Sequence, residues 1–124
     1  MIALALLSIQ ASAMLAPPSE VVVMARRLKD WRGTASANAK GTRCRTVKST
    51  GDADLDRIAC DSMRYCMIQL TPDFTAARDK RLAKSEREAR MRLINIRLAQ
   101  CSEQQHGVRV ADMVERRFQR TITQ

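Results

Sequence analysis

The sequence has few of the residues that build large cores or membrane spans. Only 3% of its 124 residues are aromatic, there is one histidine, and there are four glycines. Its apolar runs fall well below the roughly 20 residues that a membrane-spanning helix needs. These shortages exclude a large multidomain enzyme and a bundle of transmembrane helices, and the length indicates about one domain.

Motifs for catalysis and for metal binding are also missing. We find no nucleophile elbow, H-E-x-x-H, phosphate loop or dinucleotide fingerprint. The cysteines form no C-x-x-C pair, and His106 has no second histidine with which to complete a zinc site. Asp52, Asp54 and Asp56 resemble the start of a calcium loop, but its glycine and glutamate positions do not match. We therefore expect no enzyme, no metal and no cofactor, and we expect these aspartates to cap a helix.

The first residues have the features of an export signal. Residues 1–9 are almost entirely apolar, and Ala11-Ser12-Ala13 provides the small residues that a signal peptidase recognises. We predict a signal peptide over residues 1–13, a flexible proline-containing linker over 14–20 and a single disulfide-stabilised domain over 21–124. The alternative for the first segment is an ordinary buried N-terminal helix or a fraying tail. Export predicts a periplasmic or secreted protein, with no transmembrane segment in the mature chain.

Four cysteines in a small exported chain indicate two disulfides. They are Cys44, Cys60, Cys66 and Cys101. Cys60 and Cys66 lie in a predicted helix, about 9 Å apart along its axis and about 120° apart around it, so they do not pair with each other. We favour Cys44–Cys66 with Cys60–Cys101, because Cys66 lies in the middle of the apolar face. The pairing Cys44–Cys60 with Cys66–Cys101 remains open.

The middle of the chain is typical of a β-hairpin. Residues 31–37 and 42–48 read as short strands joined by residues 38–41, where Gly41 is free to take a positive φ. The β-branched run Val21–Val23 predicts a further short edge strand. Alternation along the second strand of the hairpin places the cysteine on the inner face and two arginines, Arg43 and Arg45, on the outer face.

The remainder of the chain reads as helices. Apolar residues recur at spacings of three and four over residues 54–70. Pro72 suits the first turn of the next segment, and the capping-box pattern Ser85–Glu88 predicts a new helix from about Glu86. Gly107 is expected to end that helix before a last amphipathic one to about residue 121. The predicted fold is therefore α+β, a small disulfide-stapled domain with an N-terminal β-hairpin followed by three helices.

About half of the chain carries a resemblance. The segment Trp31-Arg32-Gly33, the segment Cys44-Arg45-Thr46-Val47-Lys48-Ser49-Thr50-Gly51-Asp52, and then Cys60 and Cys66, resemble small exported proteins of alphaproteobacteria, of the sphingomonad kind. The resemblance covers roughly Val21 to Cys66. It implies a bacterial envelope or secreted location, and it brings no catalytic residues with it.

The formal net charge is +9, and residues 20–50 carry an excess of six positive charges. The candidate anion-contact residues in this segment are Arg26, Arg27, Lys29, Arg32, Lys40, Arg43, Arg45 and Lys48. Such a surface attracts anions. We therefore expect a non-catalytic envelope protein whose basic hairpin contacts an anionic envelope component or another envelope protein.

Two alternatives remain at this point. One is a secreted inhibitor or protein-interaction module. The other, a basic nucleic-acid binder, is less favoured, because the sequence has neither a helix-turn-helix signature nor an aromatic stacking surface. Export would also remove the usual target.

Overall fold

The computed structural model describes residues 18–124. In chain order the elements are α1 (Pro18–Leu28), β1 (Arg32–Asn38), β2 (Gly41–Lys48), α2 (Ala53–Gln69), α3 (Thr71–Ala77) and α4 (Lys84–Thr123). The α+β class, the hairpin followed by three helices and the two disulfides are confirmed. The predicted signal peptide, residues 1–13, lies outside the described residues, as do residues 14–17 of the predicted linker. Pro18–Glu20, the end of that linker, belong to α1.

The edge strand predicted at Val21–Val23 is wrong, because these residues lie within α1. The helix has an acidic first turn and a basic last turn, which suits its dipole. Val21, Met24 and Leu28 follow helical spacing and pack on the core, while Val22 and Val23 stay about half exposed. Burial of this stripe outweighs the strand preference of three consecutive valines.

The hairpin is confirmed, with a tighter turn than predicted. β1 pairs with β2 antiparallel from Arg32↔Lys48 to Asn38↔Gly41, which leaves two residues in the turn. Asn38 Oδ1 accepts a hydrogen bond of 2.8 Å from the Lys40 N–H, and Gly41 has a φ of +125°. The inner face of β2 packs against α2, as its alternation predicts.

The helix α2 contacts every other element of residues 18–124. Asp52 is its N-cap and accepts hydrogen bonds from the N–H groups of Asp54 and Leu55, at 2.9 and 3.3 Å. This confirms the predicted capping. Asp56 accepts from the Thr50 N–H at 2.8 Å and so holds the preceding loop.

The predicted break at Gly107 is wrong, because α4 continues through it for 40 residues. Glycine costs about 1 kcal/mol in a helix interior. Burial of Val110, Met113 and Val114 in the following turns offsets that cost. The predicted capping box is also wrong: the N-cap is Ala83, which provides no side-chain hydrogen bond. A new helix does begin after α3, as predicted. The two helices expected on either side of Gly107 form the single helix α4, and α3 is the additional helix that brings the number after the hairpin to three.

The disulfides are Cys44–Cys60 and Cys66–Cys101, with Cα–Cα distances of 5.5 and 5.9 Å. The favoured pairing, Cys44–Cys66 with Cys60–Cys101, is therefore wrong, and the alternative is the one that forms. The outcome follows from the positions of the two cysteines on different faces of α2. Cys60 faces the hairpin, whereas Cys66 is fully buried on the side that packs against α4.

The main core lies where α1, α2 and α4 meet the base of the hairpin. Its buried members are Leu28, Trp31, Leu55, Ala59, Val110, Met113 and Val114. The Trp31 ring covers Gly33 and donates a hydrogen bond of 3.0 Å from Nε1 to Thr46 Oγ1. One aromatic residue therefore joins both strands of the hairpin to the helices.

Candidate anion-binding surface

The outer face of the hairpin carries the positive charge that the sequence predicts. Arg43 and Arg45 are exposed on β2, opposite Ser36 and Thr34 on β1. Residues 32–48 contain five basic side chains and no acidic one. The neighbours of these arginines across the strands are therefore small hydroxyl side chains, which add hydrogen-bonding capacity without neutralising the charge.

Six of the eight candidate contact residues are exposed and lie within ion-pair distance of no carboxylate in residues 18–124. They are Arg26, Lys29, Lys40, Arg43, Arg45 and Lys48. Lys40 occupies the tip of the hairpin, and Lys48 lies at its base, opposite Arg32. Arg26 lies in the last turn of α1, and Lys29 follows directly after the helix, shortly before β1 begins. The unpaired charge thus runs along the hairpin and continues toward α1.

The other two candidates have structural partners. Arg27 is half-buried, and its guanidinium donates to the Thr50 carbonyl at 3.1 Å. Arg32 is exposed and donates to the carbonyls of Lys29 and Trp31, at 2.7 and 2.8 Å. Arg27 therefore holds the loop before α2. Arg32 fixes the chain between α1 and β1, with part of its guanidinium still open to solvent.

The hairpin is fixed to the helices from its inner face. The Cys44–Cys60 disulfide attaches β2 to α2, and the Trp31–Thr46 hydrogen bond closes the base. An exposed two-stranded ribbon is marginally stable alone. These attachments hold the strands that carry the outer arginines in one geometry, so that binding has to order only the arginine side chains.

A polar cluster holds the loop behind the hairpin. Arg117 of α4 donates to both carboxylate oxygens of Asp52, at 3.1 and 3.2 Å, and to Asp54 at 2.9 Å. Burial alone raises the pKa of Asp52, but hydrogen bonds from the Leu55 N–H and from Arg117 outweigh it, so the net pKa is lowered. The cluster is a structural tie between α2 and α4.

A second concentration of cations lies far along the chain from the hairpin. A groove between α3 and the first turns of α4 is lined by Arg78, Lys80, Lys84, Arg87 and Arg92. No sequence pattern singled it out, because residues 79–92 mix six basic side chains with three acidic ones, and this mixture hides the clustering. Only the turn between the two helices gathers the basic side chains on one side.

The cysteines and the histidine form no catalytic pair. All four cysteines are in disulfides, so His106 has no thiol partner. Burial lowers the pKa of His106, and nearby Glu103 opposes this in part. Over residues 18–124, no three histidine, cysteine or carboxylate side chains come together as a metal site would need.

None of the helices in the described part of the chain is both long enough and apolar enough to cross a membrane. Two disulfides are compatible with an oxidising compartment, such as the periplasm or the extracellular space.

Comparisons with family models, with curated proteins and with solved structures found no match.

Proposed function

We propose that this protein is an exported, non-catalytic envelope protein that binds an anionic surface through its basic hairpin. The observation that carries the proposal is the hairpin itself, residues 32–48, which has five exposed basic side chains and no carboxylate, with Arg43 and Arg45 on its outer face. The resemblance to small exported bacterial proteins and the two disulfides support the location. The anions that fit this setting are the phosphates of lipid and lipopolysaccharide head groups.

The binding free energy expected for this surface follows from its electrostatics. A basic side chain near an anionic membrane surface contributes about 1 kcal/mol, and the contribution decays within a Debye length. Five such side chains on one hairpin supply enough for reversible binding without an inserted apolar segment. Val47, which is exposed on β2, adds little apolar area.

The test measures binding of the purified protein to vesicles of phosphatidylglycerol and of phosphatidylcholine across a salt series. We expect binding to the anionic vesicles only, with affinity falling steeply as salt rises from about 50 to 500 mM, where the Debye length shortens several-fold. Equal binding to both head groups, or affinity that salt does not change, would contradict the proposal. Salt-independent capture of an envelope protein through an apolar patch would instead favour the interaction-module alternative.

A further inference from the structure

The groove between α3 and α4 has the size and the charge of a binding site for a small anion. Its volume is about 620 Å³, within the range of small-molecule sites. Besides the five cationic side chains it has one carboxylate, Glu88, and the apolar side chains of Ala77 and Met91. The strands of the hairpin pack against α2, whereas every residue that lines the groove lies within residues 77–95, so the groove is a separate surface.

The lining cations are not neutralised within the protein. Glu88 lies 3.8 Å from Lys84 in an ion pair that is largely exposed and therefore weak. Arg78 lies over the Phe74 ring, 5.7 Å from its centroid, and keeps its charge. No carboxylate of residues 18–124 pairs with the other three lining cations, Lys80, Arg87 and Arg92.

Arg87 carries an unmet hydrogen bond at this site. Its Nε is inaccessible to solvent and has no hydrogen-bond partner among residues 18–124. A buried donor without a partner is destabilising, and a charged donor more so. An oxyanion that takes a guanidinium side-on pairs with Nε and one Nη together. Such a ligand, with a turn of the guanidinium toward the groove, satisfies this atom.

The N-terminus of α4 adds to the positive electrostatic potential of the groove. Lys84 is the first residue of the helix and lines the groove. The N-cap, Ala83, gives no side-chain hydrogen bond. The positive end of the 40-residue helix therefore lies next to the cationic side chains and reinforces their attraction for an anion.

We propose that this groove binds a phosphate monoester with a short apolar group. The phosphate pairs with Arg87 and the surrounding cations, and the apolar group lies on Met91. A phosphate monoester carries close to two negative charges at neutral pH, which matches a groove with several unpaired cations. Such a ligand contacts both the polar and the apolar parts of the lining.

The test uses hexyl phosphate, inorganic phosphate and hexyltrimethylammonium as probes of the full chain, followed by calorimetry and by amide shifts in two-dimensional NMR. We expect hexyl phosphate to bind with a stoichiometry of one and to shift amides within residues 77–95. Inorganic phosphate should bind about tenfold more weakly, and the cation should not bind. Equal affinity for both phosphates, binding of the cation, or shifts spread over the whole surface would overturn the proposal.

Matched variants distinguish binding at the groove from nonspecific attraction to the net positive charge of the protein. Arg87→Gln should weaken hexyl phosphate binding at least tenfold. Arg81→Gln removes the same charge from an exposed residue that pairs with Asp79 and does not line the groove, so it should change affinity less than twofold. If Arg87→Gln does not fold, Arg92→Gln, at an exposed lining position, should weaken binding about threefold. Equal effects of the groove variant and Arg81→Gln would contradict the assignment.

Discussion

At the residue scale, Gly33 and Gly107 occupy opposite situations. A Cβ on Gly33 would lie 2.1 Å from the Trp31 ring, and the Arg45 carbonyl is also too close. A Cβ on Gly107 would meet nothing within 4 Å. The glycine in the strand is therefore required by packing, whereas the glycine in α4 only weakens its helix.

The same substitution should consequently have opposite effects at the two positions. Gly33→Ala is expected to lower the free energy of unfolding by about 2 kcal/mol, because a buried ring must move. Gly107→Ala is expected to raise it by about 0.5–1 kcal/mol through helix propensity. Chemical denaturation of both variants measures this. A stabilising Gly33→Ala, or a destabilising Gly107→Ala, would contradict the described packing.

Asp52 gives the fold a specific pH dependence. Because its pKa is held below the ordinary value of 3.8, the ionised carboxylate stabilises the folded state above that value, and the stabilisation is lost as pH falls through the folded-state pKa. Asp52→Asn keeps an N-cap but removes the ion pair with Arg117. We expect it to cost about 1 kcal/mol at pH 7, with the difference from wild type shrinking below about pH 4.

Denaturation midpoints at pH 7 and pH 3 test this expectation. Asp112→Asn is the control, because its pair with Arg116 is exposed and joins neighbouring turns of one helix. That substitution should change the free energy of unfolding by only a few tenths of a kcal/mol. A difference between Asp52→Asn and wild type that persists undiminished at pH 3 would show that the ion pair is not its source.

At the element scale, local sequence signals predicted the parts whose own residues determine them. The hairpin follows from alternation and Gly41, and the start of α2 follows from Asp52. The parts that depend on distant residues were missed. Val21–Val23 becomes helical only because a core receives one face of α1, and Gly107 stays helical only because the following turns are buried.

The disulfide pairing failed for a similar reason. The sequence places Cys60 and Cys66 on different faces of α2, but it does not say which face meets the hairpin and which meets α4. The observed pairing closes loops with sequence separations of 16 and 35 residues. Each disulfide therefore fixes a different neighbour of α2.

Loop length predicts the relative cost of removing each disulfide. In the chain-entropy description, Cys44→Ser with Cys60→Ser should cost about 3 kcal/mol, and Cys66→Ser with Cys101→Ser about 4 kcal/mol. Because Cys66 is fully buried, its replacement by serine adds to the cost of removing the Cys66–Cys101 disulfide. Equilibrium unfolding of the two double variants provides the measurement. A larger loss from the hairpin disulfide than from Cys66–Cys101 would contradict this ranking.

At the scale of the whole molecule, positive charge is concentrated on the hairpin and in the groove between α3 and α4. The hairpin charge was visible in the sequence, because residues 32–48 contain no acidic residue. The groove charge was not, because acidic and basic residues are mixed in that segment and only helix packing separates them. Of the predicted contact residues, Arg27 has a structural use that its charge alone does not reveal.

The Cys44–Cys60 disulfide attaches the hairpin to α2, and the Cys66–Cys101 disulfide attaches α4 to α2. The proposed surface binding depends on the outer hairpin arginines as a group, and the proposed ligand binding depends on Arg87. Because the two rest on different side chains, either is open to refutation without the other.

The proposed surface binding depends most on the outer arginines of the hairpin, and matched double variants test this directly. Arg43→Gln with Arg45→Gln removes two charges from the hairpin, and Arg116→Gln with Arg120→Gln removes two exposed charges from α4. Binding to phosphatidylglycerol vesicles at low salt should fall about 30-fold for the hairpin variant, equivalent to about 1 kcal/mol per arginine. It should fall less than threefold for the α4 variant. Equal losses for the two variants would show that total charge, and not the hairpin, governs binding.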